Sequence, residues 1–554
     1  MSPRSANART GGGRLDGWVR EIACFAAPLV VLGWWLRAPL ASLGRGPWGA
    51  QDPWGNGDFV GNFWLWWREH ELLVTGQDWF AASAWPGEPG LLVAFPNRLD
   101  AWEALPFYRL EHWWYAWNGL AVAFLVLAVL ATVAAARAAG ASRVAAAVGA
   151  LVLAASPTLL HELGWGRLAT FQLWPGLAAL ACVAGAARVG RGRGALGLAV
   201  GAGLLLALQG LAYPFYALAA GAVGATALAL SPLPWRDRGR LLGVLVGVAM
   251  VASLPWFLAE RPLLAATVQA APPAGYTCLP GAGLLGLGAV PERFRLLPVA
   301  LPLGLLALGS RRARPWAVAG LLGVGLALGP RVVWLPEGQE VPSPLSWVMA
   351  LHPWLARMHH PVRLAPFGLA GLAVAIALLL DPAGGRVRWL RWAGLATLAG
   401  LAVAAQGDMA RVTAWDQPGL PPGIEAARWL AATGSGPVAD VLSRSHKAGF
   451  TLQPWHRRPL VESLQGYTAA SGATWSAQQA EIAAIIGGIA RGEERGEAGF
   501  EALRAAGIAD LLVVDRRASR AGMLDSEPAR TLLTATLGEP EYADAETWVW
   551  RLAP

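Results

Sequence analysis

Charged residues are scarce in this chain. Asp, Glu, Lys and Arg make up 14% of its 554 residues, against about 25% in a typical soluble domain. The shortage is concentrated between about residues 22 and 406, where apolar runs of roughly 18–23 residues alternate with short arginine-bearing loops. A helix needs about 20 apolar residues to cross a bilayer. The pattern excludes a wholly soluble protein and predicts a polytopic membrane protein.

Cysteine, lysine and the common nucleotide-binding motifs are also rare or missing. Cys24, Cys182 and Cys278 are too few and too dispersed for a disulfide framework or a zinc site. The sequence contains no Walker motif, no GxGxxG after a predicted strand and no GxSxG. Lysine occurs only at Lys447, and the net charge of +8 comes from arginines beside the apolar runs, not from a basic stripe. We therefore expect the bilayer, and no nucleic acid, as a partner.

The apolar runs predict eleven membrane spans. They lie at about 20–37, 114–136, 143–160, 168–187, 194–212, 213–231, 240–258, 296–310, 315–333, 363–381 and 389–406. Arginines occur in every second loop and in the N-terminal tail, residues 1–19, which the positive-inside rule places in the cytoplasm. The loops 38–113, 259–295 and 334–362 then face outward. We expect a transmembrane domain over 20–406 in a bacterial inner membrane, with residues 407–554 on the periplasmic side.

The C-terminal part regains the charge density of a soluble domain from about Asp408. Its patterns predict helices and strands in alternation. The helices are expected at 422–433, 474–491, 498–507 and 525–537, and the strands at 438–442, 511–515 and 547–552. The predicted fold class is therefore mainly α: a transmembrane helical bundle followed by a smaller α/β domain.

The first outer loop, residues 38–113, combines acids with many tryptophans. Its acids include Asp52, Asp58, Asp78, Asp100 and Glu103. Residues 58–75 predict an amphipathic helix that would lie on the membrane surface. The tryptophans are explained either by an interfacial aromatic belt or by a platform for a sugar ring or a polyprenyl chain.

Short motifs spread over nearly the whole chain resemble one family. They are Gly57–Trp64, Thr75–Asp78, Phe95-Pro96, Asp100, Tyr115–Asn118, Ser156-Pro157, Gly166-Arg167, Trp174-Pro175, Tyr213–Tyr216, Met358–Arg363, Gly466-Tyr467 and Leu511–Asp515. Together they resemble bacterial GT-C-type integral membrane glycosyltransferases, although a His is more usual where Arg167 stands.

The resemblance implies an inverting transferase that takes a sugar from a polyprenyl-phosphate donor at the outer leaflet. An envelope lipid, glycan or protein would be the acceptor, and an acid of the first outer loop would be the catalytic base. Such chemistry needs a carboxylate to accept the acceptor's proton and cations near the leaving phosphate.

Three carboxylates are candidates for the base. Asp58 matches the family's acid, with Asp52 and Asp100 as second choices. The alternative for Asp58 is a helix N-cap, for which Asp is favoured. Converging carboxylates are also suitable ligands for a divalent cation, although no fixed ligand spacing demands one.

Cationic and aromatic residues are candidates for binding the donor. Arg363 is the first choice for a phosphate clamp, because guanidinium binds phosphate through two parallel hydrogen bonds. The further candidates are His359, His360, Arg357, Arg167 and Tyr216. The alternatives are a snorkelling interfacial cation for Arg363 and simple packing for Tyr216.

Two other functions remain open from the sequence. The first is a polytopic transporter or flippase. No predicted span carries a clear mid-membrane charge and no inverted repeat is visible, which disfavours it. The second is a non-catalytic GT-C-like scaffold, which retention of Asp52, Asp58 and Asp100 disfavours.

Overall fold

The computed structural model describes most of the chain. The described residues are 12–49, 57–76, 99–164, 166–259, 278–285, 290–291, 294–334, 340–343, 345–346, 349, 358, 360–381, 420–442, 451–461, 477–493, 496–515 and 525–552. Helices dominate up to residue 381, and strands of a mixed sheet appear only in the C-terminal part.

Sixteen of the described helices belong to the part before residue 381. They are α1 (Gly12–Trp35), α2 (Arg37–Ala41), α3 (Gly57–Thr75), α4 (Leu99–Ala104), α5 (Trp113–Ala138), α6 (Arg143–Ala154), α7 (His161–Gly164), α8 (Leu168–Phe171), α9 (Trp174–Val189), α10 (Gly192–Ala212), α11 (Pro214–Ala229), α12 (Trp235–Ala259), α13 (Gly281–Leu284), α14 (Ala300–Ala307), α15 (Arg314–Ala327) and α16 (Ala365–Leu380). Short 3-10 turns at Leu110–His112, Pro157–Leu160 and Pro361–Leu364 connect some of them, and a hairpin of β1 (Arg331–Val333) and β2 (Glu340–Pro342) follows α15.

The long helices fall where the sequence predicts spans. Six segments of the described chain are long and apolar enough to cross a membrane, and α6, α11 and α15 are shorter apolar helices at predicted spans. Pro214 begins α11 and separates it from α10, as expected from the nearly absent loop there. The predicted 296–310 span holds only the eight-residue α14. The 389–406 span lies outside the described residues, so the count of eleven stays a prediction.

The bundle is built around α16. The span that includes it is 94% buried, whereas the span of α12 is 11% buried and lies at the periphery. Helices α15 and α16 cross backbone to backbone: a Cβ added at Gly323 would lie 2.6 Å from Cα of Gly368, and one at Gly371 would lie 2.7 Å from Cα of Gly320. Small residues spaced in this way allow membrane helices to approach closely. This crossing fixes the position of the turn that precedes α16.

The C-terminal part contains a five-stranded mixed sheet. Its helices and strands are α17 (Ile424–Thr433), β3 (Val438–Asp440), α18 (Gln453–His456), β4 (Leu460–Val461), α19 (Ala477–Ala490), α20 (Gly496–Ala505), β5 (Asp510–Val514), α21 (Ser526–Leu537), β6 (Tyr542–Ala543) and β7 (Thr547–Arg551). The strand order is β4-β3-β5-β7-β6, with β3 parallel to β4 and β5, and β7 antiparallel to β5 and β6. The α/β character predicted for this region is thus confirmed.

The two faces of this sheet bury different partners. Leu511 and Val513 belong to a core shared with α19, α20 and α21. Leu512 and Val514 point to the opposite face, as the strand's period of two requires, and join the core that extends into the helical bundle.

Helix α3 differs from the expected membrane-surface helix. Phe59, Phe63, Trp66 and Trp67 are buried as expected for its apolar side, but Glu69 on its polar side is fully buried as well. The reason is that other parts of the protein cover α3. In particular, the Trp64 indole donates a 2.6 Å hydrogen bond to Gln453 of α18, and Phe63 stacks on Trp455 at a ring distance of 5.5 Å. Protein thus covers sides of α3 that were expected to face lipid and water, and its location at the membrane surface stays a prediction.

Candidate functional site

Two arginines share one carboxylate inside the bundle. Nε of Arg363 lies 3.0 Å from Oε1 of Glu162, and Nη1 of Arg167 lies 3.6 Å from Oε2 of the same carboxylate. The Arg363 and Glu162 side chains are 8% and 5% exposed. These three side chains carry a net charge of +1, since two guanidinium groups face one carboxylate. Such a group attracts an anion that can reach the guanidinium edges.

Helix breaks bring these residues together. Glu162 lies on the single-turn helix α7, and Arg167 immediately precedes α8. Thr170 of α8 donates a 2.6 Å hydrogen bond to Oε2 of Glu162, and the Tyr216 hydroxyl donates to the Thr170 carbonyl at 2.8 Å. Tyr216, a predicted donor-binding residue, therefore supports the Glu162 segment.

Arg363 has a second aromatic neighbour. It lies in the 3-10 turn before α16, where its backbone N–H donates to the carbonyl of His360 at 3.0 Å. Its Nη1 donates to the Tyr213 hydroxyl at 3.3 Å, and its Cζ lies 5.4 Å from the centre of that ring. The guanidinium is thus held in place by a carboxylate and an aromatic ring. A snorkelling side chain would instead extend freely towards water.

Helix α3 begins next to this cluster. Its residue Asn62 donates a 3.4 Å hydrogen bond to the carbonyl of Gly166, the neighbour of Arg167. Position 58 lies one helical turn before Asn62, on the same face of α3. Because α3 begins at Gly57, position 58 belongs to the first turn of the helix rather than to its N-cap.

Asp100 and Glu103 form a separate acidic group on α4. The Trp66 indole donates a 2.9 Å hydrogen bond to Oδ2 of Asp100, and Gln172 donates to Oε2 of Glu103 at 2.7 Å. Burial raises the pKa of Asp100 to about 7, a shift that the Trp66 hydrogen bond only partly offsets. Burial, together with the nearby Asp100 charge, also raises the pKa of Glu103 to about 7.

The remaining predicted site residues are His360, Asp52, Arg357 and His359. His360 directly precedes the turn that carries Arg363, and its side chain is partly buried. Asp52, Arg357 and His359 are outside the described residues. Within the part of the chain that the structure describes, no group of three His, Cys, Asp or Glu side chains is arranged to hold a metal ion.

Glu162 is the site residue that sequence reasoning underrated. The motifs single out Arg167 and not Glu162. The available signal was its position, since a carboxylate between two predicted spans is costly to bury unless a cation pairs with it.

Comparison with known proteins connects this geometry to one fold. No protein-family model and no curated protein sequence matches the chain. The solved structure of the arabinofuranosyltransferase AftD from Mycobacteria is similar over 96% of this chain, with a TM-score of 0.57 and 15% identity. The chain spans 40% of the length of that protein.

A second solved structure matches along its whole length. This is ArnT from Cupriavidus metallidurans, bound to undecaprenyl phosphate. The match includes 97% of this chain and 98% of the ArnT chain, with a TM-score of 0.50 and 16% identity. Identities this low show the fold alone. The resemblance drawn from the sequence is confirmed at that level: the chain has the fold of the GT-C-type membrane glycosyltransferases.

Proposed function

We propose that this protein is a membrane glycosyltransferase that moves a sugar from a polyprenyl-phosphate donor to an acceptor at the outer side of the membrane. The observation that carries the proposal is the pair of arginines held by Glu162, of which Arg363 is buried and Arg167 is partly buried. A lipid phosphate is an anion that reaches this depth because its polyprenyl chain is dissolved in the bilayer. The ArnT structure contains such a lipid, which supports the same ligand class here.

The phosphate binds to Arg363 and Arg167 in this proposal. Arg363 uses its rigid fork, and Glu162 keeps both guanidinium groups oriented before the donor arrives. As the sugar leaves, negative charge grows on the phosphate, and the fixed cations stabilise it. Tyr213 and Tyr216 hold Arg363 and the Glu162 segment in position.

Asp58 is the proposed base. The acceptor hydroxyl oxygen attacks the anomeric carbon, and its proton passes to the Asp58 carboxylate. The bond between the anomeric carbon and the phosphate oxygen breaks with its electrons, which releases polyprenyl phosphate. Attack from the face opposite the leaving phosphate inverts the configuration of that carbon.

The proposed arrangement in the membrane follows the arginine loops. Residues 1–19 are cytoplasmic, the transmembrane domain covers 20–406, and the domain 407–554 is periplasmic. That domain contacts α3 through Gln453 and Trp455, so its proposed role is to cover the acceptor side of the site.

Co-purification is the direct test of the ligand class. Protein purified in mild detergent should release a polyprenyl phosphate or its sugar ester on organic extraction, identified by mass spectrometry. The Arg363→Ala protein, prepared in parallel, should carry less. A polyprenyl-phosphate sugar that crosses proteoliposome membranes with its sugar still attached would favour a flippase. Lipid binding without either activity would favour a non-catalytic scaffold.

A further inference from the structure

The loop 43–49 and helix α3 are both held by the beginning of α5. In the second turn of α5, Asn118 contacts the loop, and Trp117 contacts both the loop and α3. This pair is part of a motif that the sequence singles out and that the proposed chemistry does not use.

Asn118 bonds to the loop 43–49 at three points. Its Oδ1 accepts a 2.6 Å hydrogen bond from the Trp48 amide. Its Nδ2 donates to the carbonyls of Leu43 at 2.5 Å and Gly46 at 2.8 Å. Asn118 is 3% exposed. One buried amide thus replaces the water that three backbone groups of this loop would otherwise need.

Trp117 contacts both the loop 43–49 and helix α3. Its indole donates to the carbonyl of Trp48 at 2.9 Å. The same ring packs against Phe59 at 5.1 Å and against Trp66 at 5.5 Å, both on α3. Trp117 therefore joins the loop 43–49 to α3, and its neighbour Asn118 holds the same loop.

The anchored loop also contacts the arginine site. Gly49 has a φ of +84°, and a Cβ at that position would lie 2.6 Å from the carbonyl oxygen of Leu163. Leu163 is the neighbour of Glu162 on α7. The backbone of the loop therefore lies directly against the segment that orients Arg363 and Arg167.

We infer that Asn118 is a positioning residue that sets the acid-bearing start of α3 against the arginine site. The inference rests on the proposed function for its effect on turnover, but its effect on the loop is independent of any activity. Because both polar atoms of its side chain bond to the loop, we place Asn118 outside the contacts of the donor. Its loss should therefore reduce turnover without weakening phosphate binding, because a displacement of about 1 Å at a reacting group is enough to reduce a rate about 100-fold.

The test compares Asn118→Ala and the milder Asn118→Ser with Thr132→Ala. Thr132 lies on the same helix and is buried. Its hydroxyl donates a 2.9 Å hydrogen bond to the Ala128 carbonyl of that helix. Hydrogen–deuterium exchange of peptides covering 43–49 should accelerate at least about 10-fold in both Asn118 variants and not in Thr132→Ala. Sugar transfer from the host's polyprenyl-phosphate sugars should fall about 10- to 100-fold in kcat, with undecaprenyl-phosphate Kd within about twofold of wild type.

Two results would overturn the inference. One is unchanged exchange at 43–49 in folded Asn118→Ser protein, which would show that the amide does not hold the loop. The other is a parallel loss of kcat and undecaprenyl-phosphate affinity, which would show a general structural effect. If wild-type protein transfers no sugar, the proposed function fails, while the exchange result still decides whether Asn118 anchors the loop.

Discussion

Glu162 and Arg363 form a buried ion pair, 3.0 Å from Oε1 to Nε, between the first turn after one apolar segment and the turn that begins another. Burying two charges is costly, and replacement of such pairs by apolar residues often stabilises a protein. Stability alone therefore does not explain the pair. A second cation, Arg167, lies 3.6 Å from the other oxygen of the same carboxylate.

Replacement of Arg363 should weaken phosphate binding. We expect Arg363→Ala to lower affinity for undecaprenyl phosphate about 10- to 100-fold, since hydrogen bonds to a charged partner contribute about 1.5–3 kcal/mol. Arg363→Lys should give an intermediate loss, because it keeps the charge but not the planar fork. Titration monitored by thermal stability in detergent measures both. The control is Arg331→Ala, which removes an arginine that is 66% exposed. Equal binding by wild type and Arg363→Ala would show that the Arg363–Glu162 pair is only structural.

Neutralising Glu162 should have a different signature. Glu162→Gln keeps the size of the side chain but leaves the buried Arg363 and the partly buried Arg167 without their shared carboxylate. We expect the melting temperature to fall by on the order of 5–10 °C. Undecaprenyl phosphate should then stabilise this variant more than it stabilises wild type, because its phosphate supplies the missing negative charge.

The matched control for this change is Glu340→Gln. Glu340 pairs with Arg331 on the surface, where the carboxylate is 51% exposed, so its loss should leave the melting temperature nearly unchanged. A smaller lipid-induced stabilisation in Glu162→Gln than in wild type would contradict a phosphate site between the two arginines.

The proposed topology can be tested by labelling with a membrane-impermeant maleimide. The native Cys278 is a poor reporter, since burial raises the pKa of its thiol to about 11 and the thiolate is the reactive form. Cysteines should instead be placed at Val341 and Glu527, which are 60% and 63% exposed, in a Cys278→Ser background. Both should react in intact spheroplasts, and a cysteine at Arg312 should react only after permeabilisation. Protection of Glu527→Cys in intact spheroplasts would place the C-terminal domain in the cytoplasm.

Stability should fall as the pH rises through the range in which Asp100 ionises. Its pKa is about 7 in the folded protein and about 4 in an unfolded chain. Between these values only the folded state keeps the proton, so the free energy of unfolding decreases with rising pH and levels off above about 7. Glu103 adds to this slope in the same direction.

Melting temperatures measured from about pH 5 to pH 8 check this sign. The slope should be reduced in Asp100→Asn. In Asp100→Asn/Glu103→Gln it should turn positive below about pH 6.5, because burial lowers the pKa of His456 to about 3 and only the unfolded chain then takes up that proton. Glu425→Gln, which removes a carboxylate that is 64% exposed, should keep the wild-type slope. An unchanged slope in the double variant would show that these two carboxyls are not the groups responsible.

The elements of the fold were largely predictable, because they depend on local pattern. Apolar run lengths placed the long helices, including the separate spans that became α10 and α11, and the apolar β-branched run at 511–515 predicted the central strand β5. Arg363 and Arg167 could be proposed individually from short motifs. Their meeting at one carboxylate could not, since it depends on how α7 and the turn before α16 pack in three dimensions.

The burial of α3 and the role of Asn118 were also beyond the sequence. An amphipathic pattern does not reveal whether lipid or protein covers the apolar face, and here Trp455 of the C-terminal domain covers part of it. Asn118 makes its three hydrogen bonds to backbone groups about 70 residues away in the chain. Backbone groups carry no side-chain signature, so nothing in the sequence marks them as its partners.

The central claim, sugar transfer with Asp58 as base, is tested most directly by one comparison. Wild-type and Asp58→Asn proteins are reconstituted in proteoliposomes with the host's polyprenyl-phosphate sugars and envelope acceptors, and sugar transfer is measured alongside thermal stability. Position 58 lies in the first turn of α3, where loss of a negative charge costs about 0.3–1 kcal/mol, so the variant should remain folded. Its transfer rate should nevertheless fall at least about 100-fold, because an amide cannot accept the acceptor's proton. Near-normal transfer by a folded Asp58→Asn protein would contradict the account.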